Sequence, residues 1–201
     1  MKQKLNLRNA ILWTIALILP VIFFASFGAN TYLYLNQGGY TLNVTWTHGF
    51  WGATYGYATG EGSVYVDPSE RVGSICGIIA VFMFLAAAAG LILVTLLMKN
   101  EKLQKILIFV CGGVILVASV LLFFTGGVAW KQYAKIAHVS VEELKSYVRG
   151  RASCPFGVAS GVVGILLAGG VVVAQLIPNK QFIKSSSEAS KEEPAEVEDD
   201  E

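Results

Sequence analysis

Hydrophobic positions fall into four long runs that carry almost no charge, over residues 10–28, 75–98, 106–129 and 154–177. At about 1.5 Å per helical residue, each can cross a hydrocarbon layer of about 30 Å. The pattern predicts a membrane α-helical fold, a four-transmembrane helix bundle. Pro20 in the first run is compatible with a spanning helix, because such helices re-satisfy the freed carbonyl locally. The same run has the layout of a signal peptide, with a basic start, an apolar middle and small residues near 25–29. It is longer than a usual signal core and no clean cleavage pattern follows, which favours a retained helix.

Between the runs the period changes. In the first outer loop, residues 29–74, the segments 31–35 and 40–46 alternate bulky and polar positions around Gly38 and Gly39, a hairpin signature. Tyr40, Leu42, Val44 and Trp46 alternate with Thr41, Asn43, Thr45 and Thr47, so one face should pack and the other stay wet. Residues 50–57 and 63–66 are predicted third and fourth strands, separated by a turn at 59–62. The expectation is a small extracellular antiparallel β-sheet, formed by the first outer loop and standing on the bundle. The second outer loop, residues 130–153, differs: Ser140 and Glu143 make a capping box, and residues 141–149 suit a short amphipathic helix. Trp130 closes the third run where an interfacial anchor would sit.

Composition supports the membrane reading: of 201 residues, 54% are hydrophobic and 14% charged, with mean hydropathy +0.58. The distribution of charge adds an orientation. Residues 1–9, 99–105 and those after 178 carry nine Lys and Arg, against six over the longer segments between. The positive-inside bias then puts both termini in the cytoplasm and both large loops outside. Residues 10–178 form the membrane domain and 1–9 a cytoplasmic N-terminus. Residues 179–201, with eight acidic side chains after Ser187, are predicted to be a disordered acidic tail. The first outer loop sets Arg71 against Glu61, Asp67 and Glu70, whereas the second carries an excess of Lys and Arg. These opposite signs allow the loops to attract each other, ordinary solvated charge being the simpler reading. A net charge of +1 gives no reason to expect nucleic acid as a partner.

Candidate chemistry is sparse. No ionisable side chain falls in the central part of any run, which argues against a pump, a transporter or an intramembrane enzyme. There is no CxxC, no HExxH and no glycine-rich phosphate loop, and His48 and His138 stand alone in different loops. The chain thus reads as non-enzymatic, without a cofactor or metal. Asn43-Val-Thr45 is a glycosylation sequon on the predicted wet face. Cys76 and Cys154 begin the second and fourth runs, so a disulfide between them is possible if those helices are neighbours; two buried thiols are the alternative. Cys111, towards the other side, is a position for S-acylation. Gly157, Gly161, Gly164 and Ala168 lie on one face of the fourth run, and Gly73, Gly77 and Ala80 form a shorter stripe. Such stripes let helix backbones approach closely, within one bundle by default or between molecules otherwise.

Four helices, cytoplasmic termini and a long β-rich first loop together resemble the claudin and peripheral myelin protein superfamily. Gly49-Phe50-Trp51 looks like that superfamily's Gly-Leu-Trp, and Arg71 stands near its basic residue before the second helix. The two disulfide-forming cysteines that follow the motif are absent here, Thr54 standing where the first would be. The resemblance implies a plasma-membrane protein that makes lateral or cell–cell contacts through its outer sheet. Its partners would be membrane lipids and either itself or another membrane protein. An auxiliary subunit of a channel or receptor is the alternative, and a small-molecule transporter is disfavoured by the uncharged runs. Exposed aromatics (Tyr55, Tyr57 and Tyr65 with Phe50 and Trp51) suit an interface or an anchor in the headgroup layer, packing of Phe50 and Trp51 against the helix tops being the simpler reading for those two.

Overall fold

The computed structural model describes residues 7–37, 40–53, 55–58, 62–67, 69 and 71–177. The acidic tail, most of the basic N-terminus and the predicted turns at Gly38–Gly39 and 59–61 lie outside the described residues. In chain order the elements are α1 (Leu7–Ala25), β1 (Thr31–Gln37), β2 (Tyr40–Thr47), β3 (Tyr55–Ala58), β4 (Gly62–Tyr65), α2 (Ile75–Leu97), α3 (Glu101–Phe123), α4 (Val128–Ile136), α5 (Val141–Tyr147), β5 (Arg149–Ser153) and α6 (Pro155–Leu176).

Local chemistry sets the helix ends. The Ser74 hydroxyl accepts from the Gly77 amide to start α2, and the Asn100 side chain accepts from the Lys102 and Leu103 amides to start α3. Pro155 opens α6, where its missing N–H costs nothing. Ser140 accepts from the Glu143 amide, so the expected cap of α5 is present. Four helical stretches are long and apolar enough to cross a membrane: Leu7–Gly28, Ile75–Leu97, Glu101–Ile136 and Pro155–Leu176. The third exceeds its predicted run. A 3-10 turn over Phe124–Gly127 leads from α3 directly into α4, so residues 130–136 are helix rather than loop. The cause is packing, since Val128, Ala129, Trp130 and Ala134 are buried on one side of α4.

Helices α1, α2, α3 and α6 form a ring, with α1 against α2 and α6, and α3 against α2 and α6. Buried positions along α2 recur at Gly77, Ala80, Val81, Phe84, Ala87, Ala88, Leu91 and Val94, a spacing near 3.5 residues. That period keeps one seam facing the neighbours, as in left-handed bundles. The reverse sides remain apolar: Leu17, Val21, Phe82, Leu93, Phe109 and Leu166 are all exposed. Helices α2 and α6 lie on a diagonal of the ring rather than side by side. This removes the condition on which a Cys76–Cys154 bridge depended. Both are free thiols, Cys76 exposed and Cys154 buried.

The sheet is antiparallel, in the order β4-β3-β2-β1-β5. Four strands come from the first loop as expected. The fifth comes from the second loop, pairing Tyr32 with Ser153, Tyr34 with Arg151 and Asn36 with Arg149. The helix predicted over 141–149 therefore stops at Tyr147, because Arg149 onward is committed to pairing with β1. The predicted third strand over 50–57 also contracts, to Tyr55–Ala58. Leu33, Leu35, Val44 and Trp46 face inward onto Ala129, Trp130, Ala134 and Leu144, making a second core between the sheet and α4–α5. The first core lies within the helix ring.

Candidate interaction face and its fastening

Gly49-Phe50-Trp51 sits in the turn between β2 and β3, against the ends of α1 and α2. The Phe50 amide donates to the Ala29 carbonyl (3.2 Å), and its own carbonyl accepts from the Ser74 amide (2.8 Å). The Trp51 and Gly52 amides both donate to the His48 carbonyl, at 3.2 and 3.1 Å. His48 adopts a left-handed φ of 54°. Its Nδ1–H donates to the Phe27 carbonyl at 2.7 Å, and its backbone amide donates to Asn30 Oδ1 at 3.1 Å. This histidine is thus a fixed corner, more than the plain polar loop residue its sequence suggests.

Each motif residue has a physical reason. A Cβ on Gly49 would overlap the Thr31 hydroxyl, so no larger residue fits there unless β1 moves. Phe50 is fully buried at the top of the ring, edge-on to Phe156 of α6 at 5.3 Å, with Gly77 of α2 leaving room for its ring. Trp51 is half-buried. It stacks on Phe27 at 4.9 Å and 3°, meets Phe23 and Phe82 edge-on, and donates Nε1–H to Ser26 Oγ at 2.8 Å. Phe50 thus packs against the helix tops, the simpler of its two readings, and is not an exposed contact; burying a phenyl ring among helix ends is the more favourable use of its area. The motif fastens sheet to helices. Arg71 is exposed, with its Cβ beside Gly52, whose φ of 136° suits glycine alone.

A second fastening was not legible in the sequence. Gln132 of α4 is buried, its Nε2 donating to the Gly49 carbonyl at 3.1 Å and the Val72 carbonyl at 2.9 Å. Its Oε1 accepts from the Thr31 hydroxyl at 3.1 Å. One side chain thereby ties the start of β1, the turn after β2 and the residues before α2 to α4. The available signal was one polar residue among the buried positions Val128, Ala129, Trp130 and Ala134, and it is weak. Main-chain pairing and this amide join the two loops; Glu61 and Glu70, two of the acidic residues of the first loop, lie outside the described residues.

Held in this way, the sheet turns its other face away from the helices. Register aligns Tyr32, Tyr34 and Asn36 of β1 with Thr45, Asn43 and Thr41 of β2 and with β5 on the other side. At one end Tyr34, Asn36 and Asn43 join Arg149 and Arg151 around a shallow hollow of about 450 Å³. At the other end Tyr55, Tyr57 and Tyr65 are exposed, Tyr65 to 76%. The Tyr55 and Tyr57 rings meet edge-on at 5.0 Å. A hydrogen bond to Tyr55, and then the charge that Tyr55 would carry, raise the Tyr57 phenol above its ordinary value. Asn43 is exposed on this face, the wet one as expected. After β4, the Asp67 carboxylate accepts from the Ser69 amide at 2.8 Å and its hydroxyl at 2.7 Å, which lowers its pKa.

The glycine stripe of α6 is spent inside the bundle. A Cβ at Gly157 would overlap Thr125, one at Gly161 would press on Phe123 and the Ser119 carbonyl, and one at Gly164 would overlap the Ser119 hydroxyl. All three positions face α3 or the turn that follows it. Among the described residues, no three His, Cys, Asp or Glu side chains converge where a metal ion could sit. No protein-family model matches the chain, and no curated protein matches it.

Proposed function

We propose that the four apolar helices span a membrane with both termini cytoplasmic, and that the chain acts without catalysis as a contact protein. Its working surface is the outward face of the sheet. One observation carries this reading: exposed tyrosines and two arginines share a face fixed from beneath by Phe50, Trp51 and Gln132. Tyrosine and arginine are among the side chains enriched at protein interfaces, because both offer large contact area and polar ends. A fixed platform also lowers the ordering cost of association. The contacts are lateral or cell-to-cell, with a second copy or another membrane protein, at the plasma membrane.

The test is capture of the tagged full chain from mild detergent, with the captured proteins identified by mass spectrometry. Wild type is compared with a Tyr57→Ser, Tyr65→Ser, Arg151→Ser variant. The expected result is recovery of a second, differently tagged copy that the triple substitution abolishes while the melting temperature stays put. Recovery unaffected by the substitutions would sink the assignment of this face. A stoichiometric channel or receptor in place of a second copy would make the protein an auxiliary subunit instead.

A further inference from the structure

A cavity of about 570 Å³ opens at the sheet end of the helices, between the first turn of α2, the joint of α3 with α4, and the start of α5. Its volume is in the range of small-molecule sites. It has two chemically different sides. Ile75 and Phe124 form an apolar lip, 70% and 67% exposed, and each heads a stripe of exposed apolar residues along its helix, with Ile79 below Ile75 and Val120 below Phe124. The opposite side carries Lys131 and Lys145 against one carboxylate, Glu142. Lys145 Nζ is held 5.6 Å over the Trp130 ring, which fixes one cation at the mouth.

We infer that this cavity holds the phosphodiester headgroup of an anionic membrane phospholipid, with the acyl chains running down the groove between α2 and α3. The inference rests on the reading that these helices span a membrane. In that setting the lip lies where hydrocarbon gives way to headgroups, the depth to which lysine side chains reach to place their ammonium groups beside lipid phosphates. Two ammonium groups over one carboxylate leave a positive balance for the phosphate to neutralise. The two apolar stripes meet what a soluble anion lacks, a pair of chains. The cavity thus matches a molecule that is anionic at one end and apolar at the other.

The test uses the full chain reconstituted in vesicles of equal parts phosphatidylglycerol and phosphatidylcholine, then extracted into mild detergent. Native mass spectrometry reads the retained lipid, and carbonate extraction of the vesicles reads membrane insertion. Wild type should resist carbonate and retain one phosphatidylglycerol. The Lys131→Gln, Lys145→Gln double variant should lower that affinity about tenfold to thirtyfold, each exposed ion pair with the phosphate being worth up to about a factor of five. Gly127 lines the cavity with ordinary helical backbone, and a Cβ there meets nothing within 4 Å. Gly127→Trp should therefore fill the site and expel the lipid without disturbing the fold, whereas Lys131→Arg, Lys145→Arg should retain it. Carbonate-resistant wild type that retains no lipid, or a Lys131→Gln, Lys145→Gln or Gly127→Trp variant that retains it as wild type does, would overturn the inference and leave the spanning reading intact. Release by carbonate would overturn both. Cys76, exposed at the cavity wall, supplies the remaining arm. Protection of its thiol from maleimide by inorganic phosphate as effective as that by phosphatidylglycerol would assign the site to free phosphate and overturn the lipid.

Discussion

Gln132 spends its whole side chain on the first outer loop, bonding Gly49, Val72 and Thr31 at once. Replacing it with leucine leaves two carbonyls and a hydroxyl without this partner in a closed space. Gln132→Leu should then lose roughly 2–4 kcal/mol of stability, the range for breaking a buried polar network. Thermal unfolding in detergent checks this, and a melting point equal to wild type would show that the amide is incidental. Residue identity in the sequence pointed to Gly49, Phe50 and Trp51 but not to the direction in which the aromatics face. An isolated phenyl ring beside an indole looks the same whether it meets a partner or its own helices. What decides it is Gly77, which leaves the space that Phe50 fills. That pairing joins positions far apart in the chain, and no local pattern carries it.

Among the elements, the helices were legible and their inward faces were half so. Hydropathy cannot pick the packed side of a helix that is apolar all round, but small residues can. Gly157, Gly161 and Gly164 did mark the face of α6 that meets α3. Their consequence is testable against an internal control. Gly164→Leu forces a side chain into Ser119 and Phe84 and should cost about 1–3 kcal/mol, as overpacking usually does. Gly169→Ala, where a Cβ meets nothing within 4 Å, should cost nothing measurable. Equal effects of the two on melting would refute the packing assignment. Strand β5 was not legible, because Arg149-Gly-Arg-Ala-Ser153 has neither the β-branched nor the aromatic residues that mark strands. It is extended because β1 offers it an open edge.

At the scale of the whole molecule, a ring of helices carries a five-stranded sheet, joined through Phe50, Trp51 and Gln132. No disulfide takes part in this joint, since Cys76, Cys111 and Cys154 are all free thiols. Glycosylation tests the proposed orientation. In a glycosylating host, the band should shift on glycosidase treatment and the shift should vanish in Asn43→Gln; an unshifted wild-type band would count against both the site and the topology. Asn43 lines the hollow with Arg149 and Arg151. The contact surface itself is tested most directly by photo-crosslinking in cells, with the reactive side chain placed in turn at Tyr57, at Tyr65 and at Phe109 on the outer side of α3. Crosslinks to a second copy or to another membrane protein are expected from the two sheet positions, and to lipid alone from Phe109. Protein crosslinks from Phe109 with none from Tyr57 or Tyr65 would contradict this.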